Sequence, residues 1–184
     1  MTTATDQTDQ RLIGETERRV WVGCLACYSD GRLNGEWMSP DDAVDWECDS
    51  PSAVIFGLHE ETWCFDMEGF PTNREMSPCE ALSIHETMLA DEEAGHGIPA
   101  AVCHVWRSEY GTDEDPADSF IGAYDSLRDY VETMLDDGVF GDAVQTMYAE
   151  HPGWVDVDAI VNDIRCEGMT NSYEHDGTLY LFQA

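Results

Sequence analysis

The residues best suited to chemistry are carboxylates, which concentrate on helical patterns between residues 118 and 167. In the first pattern, apolar residues recur from Leu127 to Leu135 at the spacing of a helix that buries one face. Arg128 is the only base on the opposite face. The acids there are Asp125, Asp129, Glu132, Asp136 and Asp137. Carboxylates held at fixed positions accept charge-assisted hydrogen bonds, so this face predicts a surface that binds cationic groups.

Helix stability does not account for these charges. Like charges three or four positions apart destabilise a helix by roughly 0.2–0.5 kcal/mol per pair, and solvated faces relieve this with interleaved Lys or Arg. This chain contains no Lys. A later helical pattern adds Asp156, Asp158 and Asp163. We call these eight carboxylates the eight-acid set and predict that they bind a basic partner together.

Composition describes a globular and strongly acidic chain. The 184 residues are 42% hydrophobic and 10% aromatic, and 39 acids face 8 bases, which gives a net charge of -31. Residues 1–92 carry 20 of the acids and residues 93–184 carry 19, so the charge is not confined to a tail. Such a surface repels nucleic acid and anionic membranes and attracts basic grooves. We therefore expect no direct binding to nucleic acid or to a membrane.

The size of the charge can be compared with a DNA duplex. A duplex carries one negative charge per roughly 1.7 Å of its axis, so the charge of this chain equals about 53 Å of duplex, or about 16 base pairs. A compact chain of this length has a radius of gyration of about 16 Å. An elongated arrangement of lobes would match a duplex better.

Cysteine use predicts reduced thiols in the cytoplasm. The number of cysteines is odd, their spacing forms no regular framework, and the chain begins without a signal-peptide pattern. Cys24 and Cys27 have a spacing found in metal sites. Residues 19–28 read as a strand, however, in which positions three apart point to opposite faces. We therefore expect two buried thiols and no metal site.

Signals for catalysis and for other metal sites are weak. His85 begins a zinc-peptidase pattern that fails because position 89 is Leu rather than His. The segment from Asp156 to Asp158 lacks the Gly and Glu that a calcium loop requires. The chain has no glycine-rich phosphate loop and no Gly-x-Ser-x-Gly turn. We predict that the protein is not an enzyme and needs no cofactor.

The elements that position the acids suggest an α+β chain of three small lobes. Residues 1–18 read as a disordered tail, 19–70 as a β-rich lobe, 71–116 as a helical lobe and 117–184 as helices followed by a β-hairpin. The predicted strands of the first lobe are residues 19–28, 32–38, 53–58 and 62–66, with a short helix or loop at 40–42. The predicted helices of the second lobe are residues 78–94 and 98–107.

The third lobe is predicted from three apolar stripes and one turn. Ser126 and Asp129 resemble a capping box that begins the first helix, and Gly138 ends it. A second helix covers about residues 140–148. Asp156 is a plausible N-cap of the third helix, which Gly168 ends. A hairpin with an Asp-Gly turn at 176–177 closes the chain.

Three blocks of sequence carry a family resemblance. The first, residues 19–37, contains Tyr28, the run Gly31-Arg32-Leu33, and Gly35 with Trp37. The second, residues 63–70, contains Asp66 and the run Glu68-Gly69-Phe70. The third contains Tyr124-Asp125-Ser126, followed by residues 154–158 and 162–163. With these blocks in this order, residues 19–182 resemble the ArdA family of antirestriction proteins, although Met67 replaces the Tyr of the family's second block.

The resemblance implies a function. ArdA proteins are elongated, three-lobed, dimeric DNA mimics that occupy the DNA-binding groove of type I restriction-modification enzymes, and mobile genetic elements typically carry them. The expected partners are therefore the DNA-binding subunits of such an enzyme and a second copy of this chain. Two chains would carry about 62 negative charges, equivalent to roughly 105 Å of duplex. The comparison of this chain's charge with that of a duplex also favours a DNA mimic.

Two other interpretations of the acidity remain open. Halophilic proteins also have acidic surfaces poor in Lys, and this adaptation can coexist with mimicry. The same field would also serve a decoy for other basic DNA-binding proteins, such as nucleoid proteins. If mimicry is correct and many weak contacts share the affinity, reversing two charges of the eight-acid set should weaken inhibition modestly and reversing six should abolish it.

Overall fold

The computed structural model describes residues 17–51, 61–111 and 114–184. The chain divides into two compact units, an N-terminal unit, Met1–His85, and a C-terminal unit, Glu86–Ala184. The described residues form eight α-helices and two three-stranded antiparallel sheets, consistent with the predicted mixture of helices and sheets. The predicted tail, apart from residues 17–18, and the predicted strand at 53–58 lie outside the described residues. The division into three lobes remains a prediction.

A three-stranded sheet forms the centre of the N-terminal unit. Strand β1 (Arg19–Cys24) lies between β2 (Gly35–Met38) and β3 (Thr62–Glu68), and both pairings are antiparallel. Val20 and Val22 alternate along β1 and are fully buried, as expected for a strand with one face against a core. A short helix, α2 (Pro40–Ala43), follows β2 and confirms the helical alternative for that segment.

The prediction of a single strand over residues 19–28 is wrong in its second half. The strand ends at Cys24, and a helix, α1 (Leu25–Ser29), follows at once. The thiol of Cys24 acts as the N-cap and accepts a hydrogen bond from the backbone N–H of Cys27 at 3.3 Å. The β-branched residues that favour a strand end at Val22, whereas Leu25 and Ala26 are strong helix formers.

The sheet of the C-terminal unit contains one strand that was not predicted. Strand β6 (Thr178–Gln183) lies between β4 (Phe120–Tyr124) and β5 (Thr170–His175). The predicted hairpin of β5 and β6 is confirmed, and Asp176 and Gly177 at its turn have φ of 50° and 77°. No element was assigned to residues 120–124. Five residues with a central glycine are too weak a pattern to predict a strand. The strand forms because these residues pair with β6.

The remaining helices largely follow the predicted boundaries. Helix α3 spans Pro78–Ala94, α4 spans Ala100–Tyr110, and α5 is a single turn, Pro116–Ser119. The second helix of the predicted middle lobe begins two residues late because Pro99 takes the N-cap position. The three helices expected near the C-terminus are α6 (Leu127–Asp136), α7 (Asp142–Glu150) and α8 (Val157–Glu167).

Two hydrophobic clusters support the C-terminal unit. One joins the buried stripes of α6 and α8 to the sheet: Leu127, Val131, Leu135, Val157, Val161, Ile164 and Leu181. The other joins α4 to β6 and consists of Ile98, Val102, Cys103, Trp106 and Phe182. The apolar stripes of α6 and α8 therefore pack in a common core, and their acidic faces are left exposed to solvent.

A buried ion pair links α3 to α4. Arg107 donates two hydrogen bonds to Asp91, from Nη1 to Oδ2 at 2.6 Å and from Nη2 to Oδ1 at 2.7 Å. The side chain of Asp91 is only 5% exposed. The hydrogen bond with Asp91 raises the pKa of Arg107, so the guanidinium stays charged. Removing one partner would leave the other as a buried unpaired charge.

We predict that Asp91→Asn lowers the free energy of unfolding by about 3 kcal/mol, because it leaves Arg107 without its counter-charge. Urea denaturation followed by circular dichroism measures this. Glu132→Gln removes the carboxylate from an exposed pair with Arg128 and should cost less than about 1 kcal/mol. Equal losses in the two variants would show that burial does not strengthen the Asp91 pair.

Candidate partner-binding acidic face

The eight-acid set lies on α6 and α8 and at their ends. Six of its members are exposed, and Asp129 and Glu132 are half-buried. Because α6 and α8 share one core cluster, acids that are up to 38 positions apart in sequence are carried by two helices that pack together. We call the surface formed by these eight residues the acidic face.

Two members of the acidic face cap helices. Ser126 Oγ accepts a hydrogen bond from the backbone N–H of Asp129 at 3.1 Å, as the capping box predicts. The second hydrogen bond of the capping box differs from the prediction. Asp129 Oδ2 accepts from the backbone N–H of Asp125 at 3.2 Å rather than from that of Ser126. Asp156 accepts from the backbone N–H of Ala159 at 3.0 Å and is the predicted N-cap of α8. These two carboxylates stabilise helix ends through hydrogen bonds and the helix dipole.

Two further members are bridged by Arg128. Its Nε donates to Glu132 Oε1 at 2.9 Å within α6, and its Nη1 donates to Asp158 Oδ1 at 2.6 Å on α8. The hydrogen bond with Glu132 and the charge of Asp158 raise the pKa of Arg128. Sequence patterns do not predict this bridge, because Arg128 and Asp158 are 30 positions apart and only the packing of α6 on α8 brings them together.

The other four members have no internal counter-charge. Within the part of the chain that the structure describes, the side chains of Asp125, Asp136, Asp137 and Asp163 form no ion pair and no hydrogen bond. All four are exposed. They are the carboxylates of the face most available to an external cation.

Two tyrosines lie close to these acids: Tyr124, which the sequence marks only as part of a family block, and Tyr148, which it does not mark as a site residue. Burial raises the pKa of Tyr124, and the neighbouring Tyr130, Asp129 and Asp137 raise it further. Burial, Glu132 and Asp136 raise the pKa of Tyr148. Both phenols therefore remain protonated at neutral pH and can donate hydrogen bonds among acceptors. Tyr148 belongs to the apolar stripe of α7, so its sequence pattern shows only a packing role.

Arginine compensates little of the charge elsewhere. Among the described residues, Arg32 pairs with Asp30 at 3.0 Å, Arg107 pairs with Asp91, and Arg74 pairs with Glu80. Together with the Arg128 bridge, these pairs involve only a small minority of the 39 acids. Most of the described carboxylates lie outside these pairs, so the field of the described surface is strongly negative.

The first family block is largely structural. Tyr28 packs on Phe65 with ring centroids 4.7 Å apart, and the Arg19 guanidinium lies 5.9 Å from the ring centroid of Trp37. Gly35 pairs with Gly23 across the sheet, and a Cβ at this position would collide with the Val22 carbonyl oxygen and with Gly23. The block therefore specifies close strand pairing.

The turn of the first block and the end of the second lie at the surface. Gly31 has φ of 76°, which favours glycine, while Arg32 and Leu33 are exposed. In the second block, Asp66 Oδ1 accepts from the backbone N–H of Met67 at 2.9 Å. Glu68 and Gly69 are exposed at the end of β3, and Phe70 is half-buried.

The explanation offered for the C-x-x-C pair is wrong. Cys24 and Cys27 do not point to opposite faces of a strand, because the strand ends at Cys24 and the next turn is helical. Their sulfur atoms and that of Cys48 all lie within 4.8 Å of one another. The two thiols are buried as expected, but they are brought together rather than apart.

Comparison with known proteins identifies a family. None of the helices described here is both long and apolar enough to cross a bilayer. No curated protein and no solved structure matches the chain. The family of antirestriction proteins (ArdA) matches residues 20–177, which is most of the chain and includes all eight members of the acidic face. The chain therefore belongs to the ArdA family of antirestriction proteins.

Proposed function

We propose that this antirestriction protein is a folded mimic of DNA that occupies the DNA-binding groove of a type I restriction-modification enzyme. The observation that carries the proposal is the acidic face, where four exposed carboxylates have no internal counter-charge. A groove that binds phosphates presents Arg and Lys, and carboxylates accept the same charge-assisted hydrogen bonds. Membership of the ArdA family supports an antirestriction role.

The rigidity of the face supports mimicry over a loose polyanion. Asp129 and Asp156 are held by cap hydrogen bonds, and Glu132 and Asp158 by Arg128. A partner that binds carboxylates already held in place does not pay the full entropy of ordering them. The proposed affinity is spread over many such contacts and over the counterions that they release from the groove.

The proposed partners are the DNA-binding subunits of the enzyme and a second copy of this chain. A homodimer would double the negative charge presented to the groove and lengthen the stretch of duplex that the mimic replaces. Trp154 is 72% exposed, as is expected of an aromatic residue that contacts another chain. The dimer and the elongated three-lobe arrangement are parts of the proposal.

The direct test is a competition experiment. We predict that the purified full-length protein releases labelled DNA from a type I enzyme and that the release weakens as salt screens the charges. Fluorescence anisotropy of the labelled duplex measures the release. The same titration against a nucleoid protein tests the decoy alternative. Release from the nucleoid protein alone would contradict the proposal and favour that alternative.

The assignment to the acidic face is tested by charge reversal to Lys. Changing Asp136 and Asp137 should weaken inhibition by about tenfold, since each exposed charge contact contributes roughly 0.2–1 kcal/mol. Changing all six members whose side chains do not cap a helix should abolish inhibition. These six are Asp125, Glu132, Asp136, Asp137, Asp158 and Asp163. Inhibition of DNA cleavage measures the effect, and circular dichroism checks the fold.

A matched variant separates position from total charge. It reverses six other exposed acids, none of which belongs to the acidic face: Asp45, Glu47, Glu61, Glu75, Glu86 and Glu93. If the acidic face binds the enzyme, this variant loses less inhibition than the six-residue variant of the face. Equal losses would mean that net charge alone determines binding. A double variant that abolishes inhibition while it remains folded would contradict the distributed contacts.

Salt dependence of the fold tests halophilic adaptation as the sole cause of the acidity. We predict that the protein keeps its circular dichroism spectrum at about 0.1 M salt, where the Debye length is about 10 Å, because apolar clusters and cap hydrogen bonds hold it together. A purely halophilic protein unfolds on dilution from concentrated salt. Loss of the spectrum below molar salt would favour that interpretation.

A further inference from the structure

Three thiols converge in the N-terminal unit. The sulfur atoms of Cys24, Cys27 and Cys48 all lie within 4.8 Å of one another, and those of Cys27 and Cys48 are 3.8 Å apart. Cys24 and Cys27 are buried and Cys48 is half-buried. This grouping plays no part in the proposed binding of a restriction enzyme, which uses carboxylates of the other unit.

Local structure explains the convergence. Cys24 is the N-cap of α1 and Cys27 lies in that helix, so the change from strand to helix turns both thiols to the same side. Cys48 follows 21 positions after Cys27, beyond β2 and α2. The three residues therefore come from the end of a strand, a helical turn and a separate segment, and together they enclose one point.

The spacing of the sulfur atoms suits a tetrahedral metal ion. Zinc binds thiolates at about 2.3 Å, and two ligands of a tetrahedron at that distance are separated by about 3.8 Å. The separation of Cys27 Sγ and Cys48 Sγ is 3.8 Å. It is also far longer than a disulfide bond, which joins sulfur atoms at about 2.05 Å.

Hydrogen-bond donors point at two of the sulfur atoms. The backbone N–H of Cys27 donates to Cys24 Sγ at 3.3 Å, and Asn34 Nδ2 donates to Cys48 Sγ at 3.0 Å. Outer donors of this kind orient the ligands of a metal and stabilise their charge.

We propose that Cys24, Cys27 and Cys48 bind one zinc ion as thiolates, with a water molecule as the fourth ligand. Binding releases the protons that the thiols still carry, and no electron is transferred. The ion would join the end of β1 to α1 and to the segment around Cys48. It would thereby stabilise α1, which carries Tyr28, and the turn after it, which carries Gly31.

The test uses the full-length protein, reduced and freed of metal with a chelator. We predict that it binds one zinc ion per chain in competition with a chromophoric chelator, and that cobalt in its place gives the thiolate-to-metal charge-transfer absorption. An excess of calcium in the buffer occupies the surface carboxylates, so that the zinc binding that is measured is binding by thiolates. Zinc should also raise the melting temperature.

Single substitutions locate the site. Cys48→Ser should weaken zinc binding by at least about 100-fold, since even loss of an outer hydrogen bond costs about 10- to 100-fold, and Asn34→Ala should weaken it by about tenfold. Cys79→Ser and Cys166→Ser are matched controls, because both thiols are exposed and lie outside the cluster. They should bind zinc as the unchanged protein does.

Three outcomes would overturn the proposal. One is zinc binding that calcium abolishes, since the carboxylates would then be the ligands. Another is unchanged affinity in Cys48→Ser. The third is a disulfide between two of the three cysteines in protein purified without reductant, shown by two missing thiols in a titration and no bound zinc. Inhibition of a restriction enzyme is a separate measurement and can succeed whichever result is found.

Discussion

The repulsion among carboxylates is the constraint on which the structure depends. A net charge of -31 on 184 residues opposes every compact state of the chain, and there is no Lys to relieve it. Apolar burial must therefore overcome repulsion as well as conformational entropy. In the C-terminal unit it does so by placing the stripes of α6 and α8 against β6 around one cluster. The same packing that stabilises the unit presents the acids of both helices to solvent.

Four acids of the acidic face also stabilise the fold. Asp129 and Asp156 sit at helix N-termini, where a negative charge interacts favourably with the helix dipole and with free N–H groups. Glu132 and Asp158 both accept hydrogen bonds from Arg128. Some of the repulsion is thus offset locally without removing the charge. Backbone N–H groups and Arg128 thus accommodate four of the eight charges, and the buried apolar cluster must offset the repulsion of the rest.

The residues of the family blocks have different roles in the two units. In the N-terminal unit, the motif residues mostly stabilise the fold. Gly35 allows close pairing with β1, and the ring of Trp37 packs against the Arg19 guanidinium. In the C-terminal unit, Tyr124, Asp125 and Ser126 end a strand and begin the helix that carries the acids. The residues of these blocks therefore have structural roles in this chain, whether or not they contact a partner.

The sequence by itself determined the elements whose signals are local. The stripe of α6, the caps at Ser126 and Asp156, the stop at Gly168 and the Asp-Gly turn each depend on residues within a few positions of one another. The composition likewise determined the sign and size of the surface charge.

Tertiary structure decided what depends on residues distant in sequence. Strand β4 exists because β6 pairs with it, and Arg128 reaches Asp158 because α6 packs on α8. The grouping of Cys24 and Cys27 with Cys48 depends on the path of the chain through β2 and α2. Hydrogen bonds and sulfur contacts act over a few ångströms, so they are determined only when folding brings those atoms together.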